Sequence, residues 1–252
     1  SSPPKSSMGW LEKKEGNIER ILPRKNELVR PAVANIDQAL VVFAVTDPKP
    51  HFHLLDRFLV MMERKGIPAV LCFNKKDIAT QKEMAHLKEV YSGCGYPLLL
   101  SSALTQENIE PVKELLRGKT TAIAGPSGVG KSSLINLLQS EVRMETGSIS
   151  KKIARGRHTT RHSELIKIEE GSYIIDTPGF GSLYVDDFEK EELKHFFREF
   201  ADFEEHCRYS GCDHVHEPGC AVKAAVEEGM IHRSRYENYL GMYQELKEKK
   251  RY

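Results

Sequence analysis

A glycine-rich stretch in the middle of the chain has the spacing of a phosphate-binding loop. Residues 125–132 read GPSGVGKS, which fits G-x-x-x-x-G-K-[ST], between an apolar strand pattern and a helical pattern. Glycines let consecutive backbone N–H groups surround phosphate oxygens at the start of a helix. Lys131 would reach the β- and γ-phosphates, and Ser132 would ligate Mg²⁺. The predicted nucleotide contacts in this loop are Gly125, Ser127, Gly128, Val129, Gly130, Lys131, Ser132 and Ser133.

The stretch IIDTPG supplies two further groups that such a site needs. Asp176 stands at the end of an apolar strand pattern, where its carboxylate would hold the hydration shell of Mg²⁺. The Gly179 N–H would then meet the γ-phosphate. Alone, D-T-P-G is a common turn, but one strand unit after a phosphate loop it predicts a phosphate-sensing segment.

A base-reading motif, NKKD, directly follows the apolar run IPAVLCF. It offers Asn74 to the edge of guanine, and Asp77 as an acceptor for the base N1–H and the 2-amino group. The stem of Lys75 would lie along the base. Adenine would leave the Asp77 carboxylate unpaired, so the motif predicts selectivity for guanine.

The triplet SSA follows the next apolar strand pattern. Its Ser101, at the strand end, and its Ala103 are predicted nucleotide contacts, and the Ala103 N–H would lie near the base oxygen. Consecutive serines are also an ordinary strand terminus, so the triplet gains meaning only beside NKKD.

The order of these motifs is unusual, because the base-reading loops precede the phosphate loop. All of them follow strands that we expect to be parallel, and open α/β sheets bind ligands at the carboxyl ends of such strands. The sheet fixes where the loops lie, whatever the order in which the chain visits them. Since the termini of compact domains are often close together, the order predicts a circular permutation with the site intact.

A second kind of chemistry is indicated by three cysteines between residues 207 and 220. Cys207, Cys212 and Cys220 could bind Zn²⁺ together with one histidine, and His214 gives the spacing C-x₄-C-x-H-x₅-C. Three thiolates and one imidazole form a closed tetrahedral site of the structural type. The intervening segment is rich in turn formers and cannot build a core alone, so bound metal would supply folding free energy. His206 and His216 are the alternative nitrogen ligands.

The elements that must position these residues follow from the hydrophobic pattern. Strand and helix patterns alternate from Gln38 to about Ser140, which predicts a parallel sheet covered on both faces. Two further strands, ELIKIE and SYIID, follow a polar stretch, and one more is possible at Gly16–Leu22. Beyond Gly181 the chain is charged and helical. The last helix carries a stripe of aromatic and aliphatic side chains, which favours core packing over a partner site. The stripe consists of Tyr236, Leu240, Tyr243 and Leu246.

Composition excludes several classes of protein. The 252 residues carry a net charge of +1, so the overall charge does not attract the chain to polyanions. No apolar run approaches the roughly 20 residues that span a bilayer, and the N-terminal residues lack the apolar core of a secretory signal. Five cysteines in a chain of this length do not form a disulfide framework; Cys72 fits a buried strand and Cys94 a loop. We therefore expect a cytoplasmic monomer that makes no contact with membranes.

Taken together, NKKD, SSA, GPSGVGKSS, GRHTT and DTPG, followed by CRYSGCDHVHEPGC, resemble the ribosome small-subunit-dependent GTPase A (RsgA) family from Pro31 to the C-terminus. The resemblance implies a circularly permuted GTPase that acts in late maturation of the small ribosomal subunit. Its implied cofactors are GTP or GDP, Mg²⁺ and one Zn²⁺ per chain, and its implied partner is that subunit with its rRNA. The family pattern favours His214 as the fourth zinc ligand.

The resemblance also implies a domain organisation. Members of the family carry an N-terminal oligonucleotide-binding barrel, and about 30 upstream residues are too few for five strands. We expect an α/β fold in three units: a partial barrel and junction at 1–34, the permuted GTPase domain at 35–184 and a helical zinc-binding domain at 185–252.

The basic segment 150–162 is matched to the first switch of the family. The resemblance makes Thr160 the residue that binds Mg²⁺ and senses the γ-phosphate, with Thr159 as its neighbour and alternative. Phe180 follows D-T-P-G, where many GTPases have a glutamine that orients water. The family's proposed substitute corresponds to His158, so His158, Lys131 and Thr160 are the predicted catalytic residues. A contact of His158 with RNA, or simple packing, is the alternative.

Two other functions fit part of the pattern. A nucleotide-gated rRNA-binding scaffold would share every motif but hydrolyse GTP only incidentally. Permuted GTPases of large-subunit assembly share the motif order, but the Cys/His cluster argues against them.

Overall fold

The centre of the molecule is a β-sheet. The computed structural model describes residue 20 and residues 23–28, 33–146, 164–176 and 188–248. A short antiparallel hairpin of β1 (Glu27–Leu28) and β2 (Val33–Ala34) precedes the sheet. The six strands of the sheet are β3 (Gln38–Ala44), β4 (Ala69–Asn74), β5 (Leu98–Leu100), β6 (Thr120–Ala124), β7 (Glu164–Glu169) and β8 (Ser172–Asp176). Their order is β5-β4-β3-β6-β8-β7, and only the β7–β8 pair is antiparallel.

Helices cover both faces of this sheet. The helices are α1 (Phe52–Arg64), α2 (Gln81–Tyr91), α3 (Ile109–Leu116), α4 (Lys131–Thr146), α5 (Ala201–Glu204), α6 (Ala221–Glu227) and α7 (Arg233–Glu248). One core cluster packs the sheet against α1 and α2, and a second packs its other face against α3 and α4. Every residue of β3 is buried, as a central strand with two covered faces requires. The predicted α/β class is confirmed.

The strand and helix predictions between Gln38 and Ser140, and for residues 164–176, are confirmed with small shifts. The largest shift is at the third parallel strand, where β5 stops at Leu100. Ser102 forms a bridge with Glu107 instead, and the Asn108 side chain donates to Leu100 O at 2.8 Å. Helix α3 therefore begins at Ile109, later than the expected Glu107. The possible strand at Gly16–Leu22 lies outside the described residues.

Residues 188–248, here called the C-terminal module, form a third hydrophobic cluster, to which Val60 of α1 also belongs. Its centre is aromatic: Phe197 and Phe200 stack at 5.2 Å between ring centroids, and Tyr239 packs edge-on against both. Tyr243 is buried in this core, while Tyr236, Leu240 and Leu246 pack against it half-buried. The stripe predicted in the last helix thus serves core packing.

A fully buried ionic network joins the C-terminal module to the sheet domain. Arg235 of α7 donates to Glu199 at 2.7 Å and to Asp56 of α1. Asp56 also accepts from Tyr91 at 3.0 Å and from Asn238 at 2.6 Å. Because Arg235 is 1% exposed and Asp56 is 0% exposed, losing either partner would leave a charge unpaired in the interior. No local sequence pattern indicates this network, because its members are scattered over the chain.

Candidate functional site

The loops that carry the predicted motifs leave the sheet at one edge. Strands β4, β5, β6 and β8 are parallel within the sheet and end at Asn74, Leu100, Ala124 and Asp176. Their following loops therefore meet at the carboxyl edge, where open sheets bind ligands. The base-reading loops and the phosphate loop are neighbours in space although they are separated along the chain.

The two outer glycines of the phosphate loop are required by close packing. Gly125 has φ 147°, and a Cβ there would overlap the carbonyl oxygen of Val42. Gly130 has φ 92°, and a Cβ there would overlap the side-chain amide of Asn74. Both positions therefore exclude any other residue without a shift of the loop.

Lys131 begins α4 and turns back over the loop. Its Nζ donates to the carbonyl oxygens of Gly125 at 2.8 Å and Pro126 at 2.6 Å. Burial lowers the pKa of Lys131, while the charge of Asp176 raises it. Asp176 is therefore close enough to act on the same ammonium, as a site for Mg²⁺ and phosphates needs. Ser132 and Ser133 lie exposed in the first turn of the helix.

Asn74 connects the phosphate loop to the base-reading loops. Its buried side chain donates to Val129 O at 3.0 Å and accepts from the Ala103 N–H at 2.9 Å. The sequence assigned Asn74 to the guanine edge and the Ala103 N–H to the base oxygen. In the structure these two groups bind each other, so Asn74 holds three loop segments in register.

Asp77 is exposed at the mouth of the site and is oriented by a serine. Its carboxylate accepts a hydrogen bond from the Ser102 hydroxyl, which in turn accepts from the Thr105 N–H at 3.1 Å. Lys75 adopts a left-handed conformation (φ 65°) and donates to Asp47 O at 2.6 Å. The carboxylate that is predicted to read the base is therefore oriented by the protein itself.

The serine that sequence reasoning selected is a different one. Ser101 Oγ lies 3.3 Å from Cys72 Sγ in the interior, away from Asp77. Successive residues at a strand end point to opposite sides, so only one serine of the pair can face the site. The alternation in the sequence indicates one serine of the pair, and the structure shows that it is Ser102.

Three predicted site residues, His158, Thr160 and Gly179, lie outside the described residues, and so do Thr159 and Phe180.

A candidate metal centre lies in the C-terminal module. One ligand atom from each of Cys207, Cys212, His214 and Cys220 falls within 4.8 Å of all the others. His214 Nδ1 is 3.4 Å from the Cys220 sulfur and 3.6 Å from the Cys207 sulfur. The structure thus brings together the four predicted zinc ligands.

The chemistry of these donors fits Zn²⁺. Burial raises the pKa of the thiols of Cys212 and Cys220, and neighbouring cysteine charges act in the same direction. A cluster of buried thiols therefore stays protonated unless a cation compensates the thiolate charge. His214 is fully buried with φ 60°, and its Nε2 has no partner among the described residues. Its Nδ1, on the side of the sulfurs, is the nitrogen available for a metal.

Side chains that carry no ligand atom shape the metal-binding loop. Glu217 accepts backbone N–H bonds from Asp213, Val215 and His216, each at 3.0 Å. Although burial opposes it, these donors and the residue's own N–H lower the pKa of Glu217 to about 2. The carboxylate is therefore charged and folds the loop around itself. Sequence reasoning missed this role, because one glutamate among turn formers carries no signal.

Two further supports come from outside the loop. Lys194 donates to Cys212 O at 2.9 Å, and Tyr236 donates to His214 O at 2.7 Å. Both anchor the carbonyl of a predicted ligand, so they fix the backbone from which its donor atom projects.

Comparison with known proteins places these two sites in context. The model of the RsgA GTPase family matches residues 21–186. A relative from Agathobacter rectalis, named small ribosomal subunit biogenesis GTPase RsgA, is 56% identical over 241 residues, which cover 96% of this chain and 80% of the relative. A relative of the same name from Thermotoga maritima is 46% identical and covers 92% of this chain and 78% of its own length.

Two solved structures are also similar to this chain. The crystal structure of YjeQ from Thermotoga maritima superposes with a TM-score of 0.79 at 42% identity, covering 92% of this chain and 79% of that one. The structure of YloQ, described as a circularly permuted GTPase, gives a TM-score of 0.75 at 36% identity, with 96% and 79% covered.

Proposed function

The chain belongs to the RsgA GTPase family and is a GTP-hydrolysing enzyme, and we propose that it acts as a nucleotide-dependent switch in late maturation of the small ribosomal subunit. The observation that carries this proposal is the side chain of Asn74, which joins the phosphate loop to the base-reading loops. Such a link makes one site out of segments that the chain visits in reversed order. The names of the relatives support the small subunit as the partner.

We assign the nucleotide contacts by role. Asp77 reads guanine, and Ser102 orients it. Asn74 positions the loops, while Lys75 flanks the base and the Ala103 N–H borders it. The phosphates are held by Lys131 and by backbone N–H groups of residues 125–133, with Gly179 at the γ-phosphate. Ser132 and Thr160 bind Mg²⁺, and Asp176 acts through its water shell. Bound Mg²⁺ would neutralise charge on the β- and γ-phosphates.

For the metal centre we propose one structural Zn²⁺ per chain. Its ligands are Cys207, Cys212, His214 and Cys220, a set that leaves no open position. The C-terminal module would depend on this metal for its folding, because the loop between the ligands cannot form a hydrophobic core by itself.

The proposed units are those expected from the sequence: 1–34, 35–184 and 185–252. The separate hydrophobic cluster of the C-terminal module supports the last boundary. We propose that nucleotide state passes from Asp176 along the chain into this module, since the permutation makes them consecutive. The protein acts as a monomer in the cytoplasm, where ribosomal subunits mature.

Turnover of GTP with and without purified small ribosomal subunits tests the function. Strong stimulation by the small subunit, and none by the large subunit, is expected. Equal turnover in both conditions, together with GTP-dependent subunit binding, would instead favour the scaffold whose hydrolysis is incidental.

We further propose that His158 positions the attacking water, since Phe180 cannot. Ordering of its basic segment by rRNA phosphates would bring His158 to the γ-phosphate, and such positioning can supply several kcal/mol. His158→Ala should then abolish most subunit-stimulated turnover while GTP affinity and subunit binding stay unchanged. Retained stimulation rules out this role, and lost subunit binding makes His158 an RNA contact.

A further inference from the structure

A second group of metal-type side chains lies at the junction between α2 and the C-terminal module. One ligand atom from each of His86, Glu89 and His232 falls within 4.8 Å of the other two. His86 and Glu89 are one turn apart on α2, with His86 Nδ1 3.7 Å from a Glu89 carboxylate oxygen. His232 comes from the other side of the junction, directly before α7. None of the three belongs to the nucleotide site or to the cysteine centre.

The arrangement of these side chains suits a metal ion better than a simple contact. The two imidazole rings are nearly perpendicular, at 69°, with centroids 5.8 Å apart. Zinc–ligand bonds of about 2.0–2.2 Å in tetrahedral geometry put the ligand atoms roughly 3.3–3.6 Å apart. The observed separations are at most 4.8 Å, so they exceed this by no more than about 1.5 Å. The His86 and Glu89 side chains are 51% and 70% exposed, so they are free to close that gap.

His232 is held in a fixed orientation. Its Nδ1 lies 2.8 Å from the Ser234 hydroxyl and 3.2 Å from the Ser234 N. These contacts at the start of α7 orient the ring, and in the tautomer whose Nδ1–H donates to the Ser234 hydroxyl the lone pair of Nε2 is free for a metal. The ring therefore projects from a rigid helix end, and the two ligands of α2 lie on a capped helix.

We propose that His86, Glu89 and His232 form a second, open site for a transition-metal dication, with Zn²⁺ as its best-suited occupant. Two imidazoles and one carboxylate are donors that zinc accepts, whereas Mg²⁺ prefers oxygen alone. With three protein ligands the site keeps a position for water and binds more weakly than the closed cysteine centre. The bound ion braces the C-terminal module against α2, the helix that follows the guanine-reading loop.

Zinc titration of the intact protein tests the proposal. Protein that already holds one tightly bound zinc is titrated with further Zn²⁺ by calorimetry. One additional equivalent is expected. His86→Ala should weaken this second event at least about tenfold, because even the loss of an outer partner of a metal ligand costs that much. His232→Asn should do the same, although the asparagine amide can still hydrogen-bond to Ser234.

The matched control is His53, which also forms an imidazole–carboxylate pair across the junction. Its Nε2 lies 3.7 Å from Glu245 of α7, but no third metal-ligating side chain from the described part of the chain joins them. His53→Ala should keep the second zinc event. The tightly bound equivalent and GTP affinity should be unchanged in all three variants, which shows that they are folded.

Three outcomes overturn the proposal. They are the absence of a second event, its persistence in both His86→Ala and His232→Asn, and an equal loss in His53→Ala.

Amide hydrogen exchange tests whether the bound ion braces the C-terminal module against α2. Added zinc should slow exchange both in α2 and in the first turn of α7, whereas slowing in α2 alone would mean that the ion does not bridge the junction.

Discussion

The nucleotide site and the cysteine centre are built in opposite ways. The nucleotide site gathers loops from four strands of one sheet, and each loop is positioned by backbone that the core already fixes. The cysteine centre has its four donors within residues 207–220, where Glu217 fixes the loop through three backbone N–H bonds and Tyr236 through one. We therefore expect a ligand to bind to the first site after folding, whereas in the second we expect the ligand to take part in folding.

Loss of the metal should accordingly have the largest effect on stability. Cys212→Ser should lower the zinc content from one per chain towards zero and unfold much of the C-terminal module, since structural zinc is worth on the order of 10 kcal/mol. Elemental analysis and circular dichroism measure the two effects. Removal of GTP from the unchanged protein should leave the fold intact.

A control distinguishes this effect from the loss of any buried thiol. Cys72 is 1% exposed in β4 of the sheet, whereas the cysteine centre lies in the C-terminal module. Cys72→Ser should keep the zinc. Full zinc content in Cys212→Ser would remove the cysteine centre as we assign it.

The second largest effect is expected where the two regions meet. Arg235→Met leaves the carboxylates of Asp56 and Glu199 buried without their cation, which costs about 3–5 kcal/mol. Urea unfolding measures the loss. Replacing Asp56 and Glu199 by leucine in the same chain should recover most of it, because no unpaired charge then remains. If the triple variant is as unstable as Arg235→Met, the penalty does not come from the buried carboxylates.

An effect on binding rather than folding is expected at Asp77. Asp77→Asn removes the acceptor for two donors of guanine and should weaken GTP binding by about 1.5–3 kcal/mol, roughly ten- to a hundredfold. Xanthosine triphosphate, whose 2-oxo group accepts from the new amide, should gain affinity. Stability should be unchanged, because Asp77 is exposed. Competition by ATP as strong as by GTP in the unchanged protein would refute the assignment of Asp77.

The same contrast explains what the sequence could predict. Gly125, Lys131 and the four cysteine and histidine side chains of the cluster could be predicted as neighbours because a short local pattern carries their chemistry, and the structure brings them together. Arg235 and Glu217 were missed because their partners are set by tertiary packing, and neither residue stands in a recognisable pattern. Asn74 was predicted to contact guanine, whereas the sequence does not show that its amide binds Val129 and Ala103.

The smallest effect is expected in a comparison of two adjacent serines. This comparison tests how precisely the sheet positions its loops. Ser102 donates to the exposed carboxylate of Asp77, whereas Ser101 contacts Cys72 in the interior. Ser102→Ala leaves every atom that would touch guanine in place but removes the group that orients Asp77. We expect GTP affinity to fall by about 1 kcal/mol, roughly fivefold, because Asp77 keeps its charge and loses only the hydrogen bond that orients it. Ser101→Ala should leave affinity unchanged and alter only stability. Calorimetric titration of both variants with GTP measures the difference, and an equal loss in the two would mean that the strand end, rather than the Ser102 hydroxyl, positions the base-reading carboxylate.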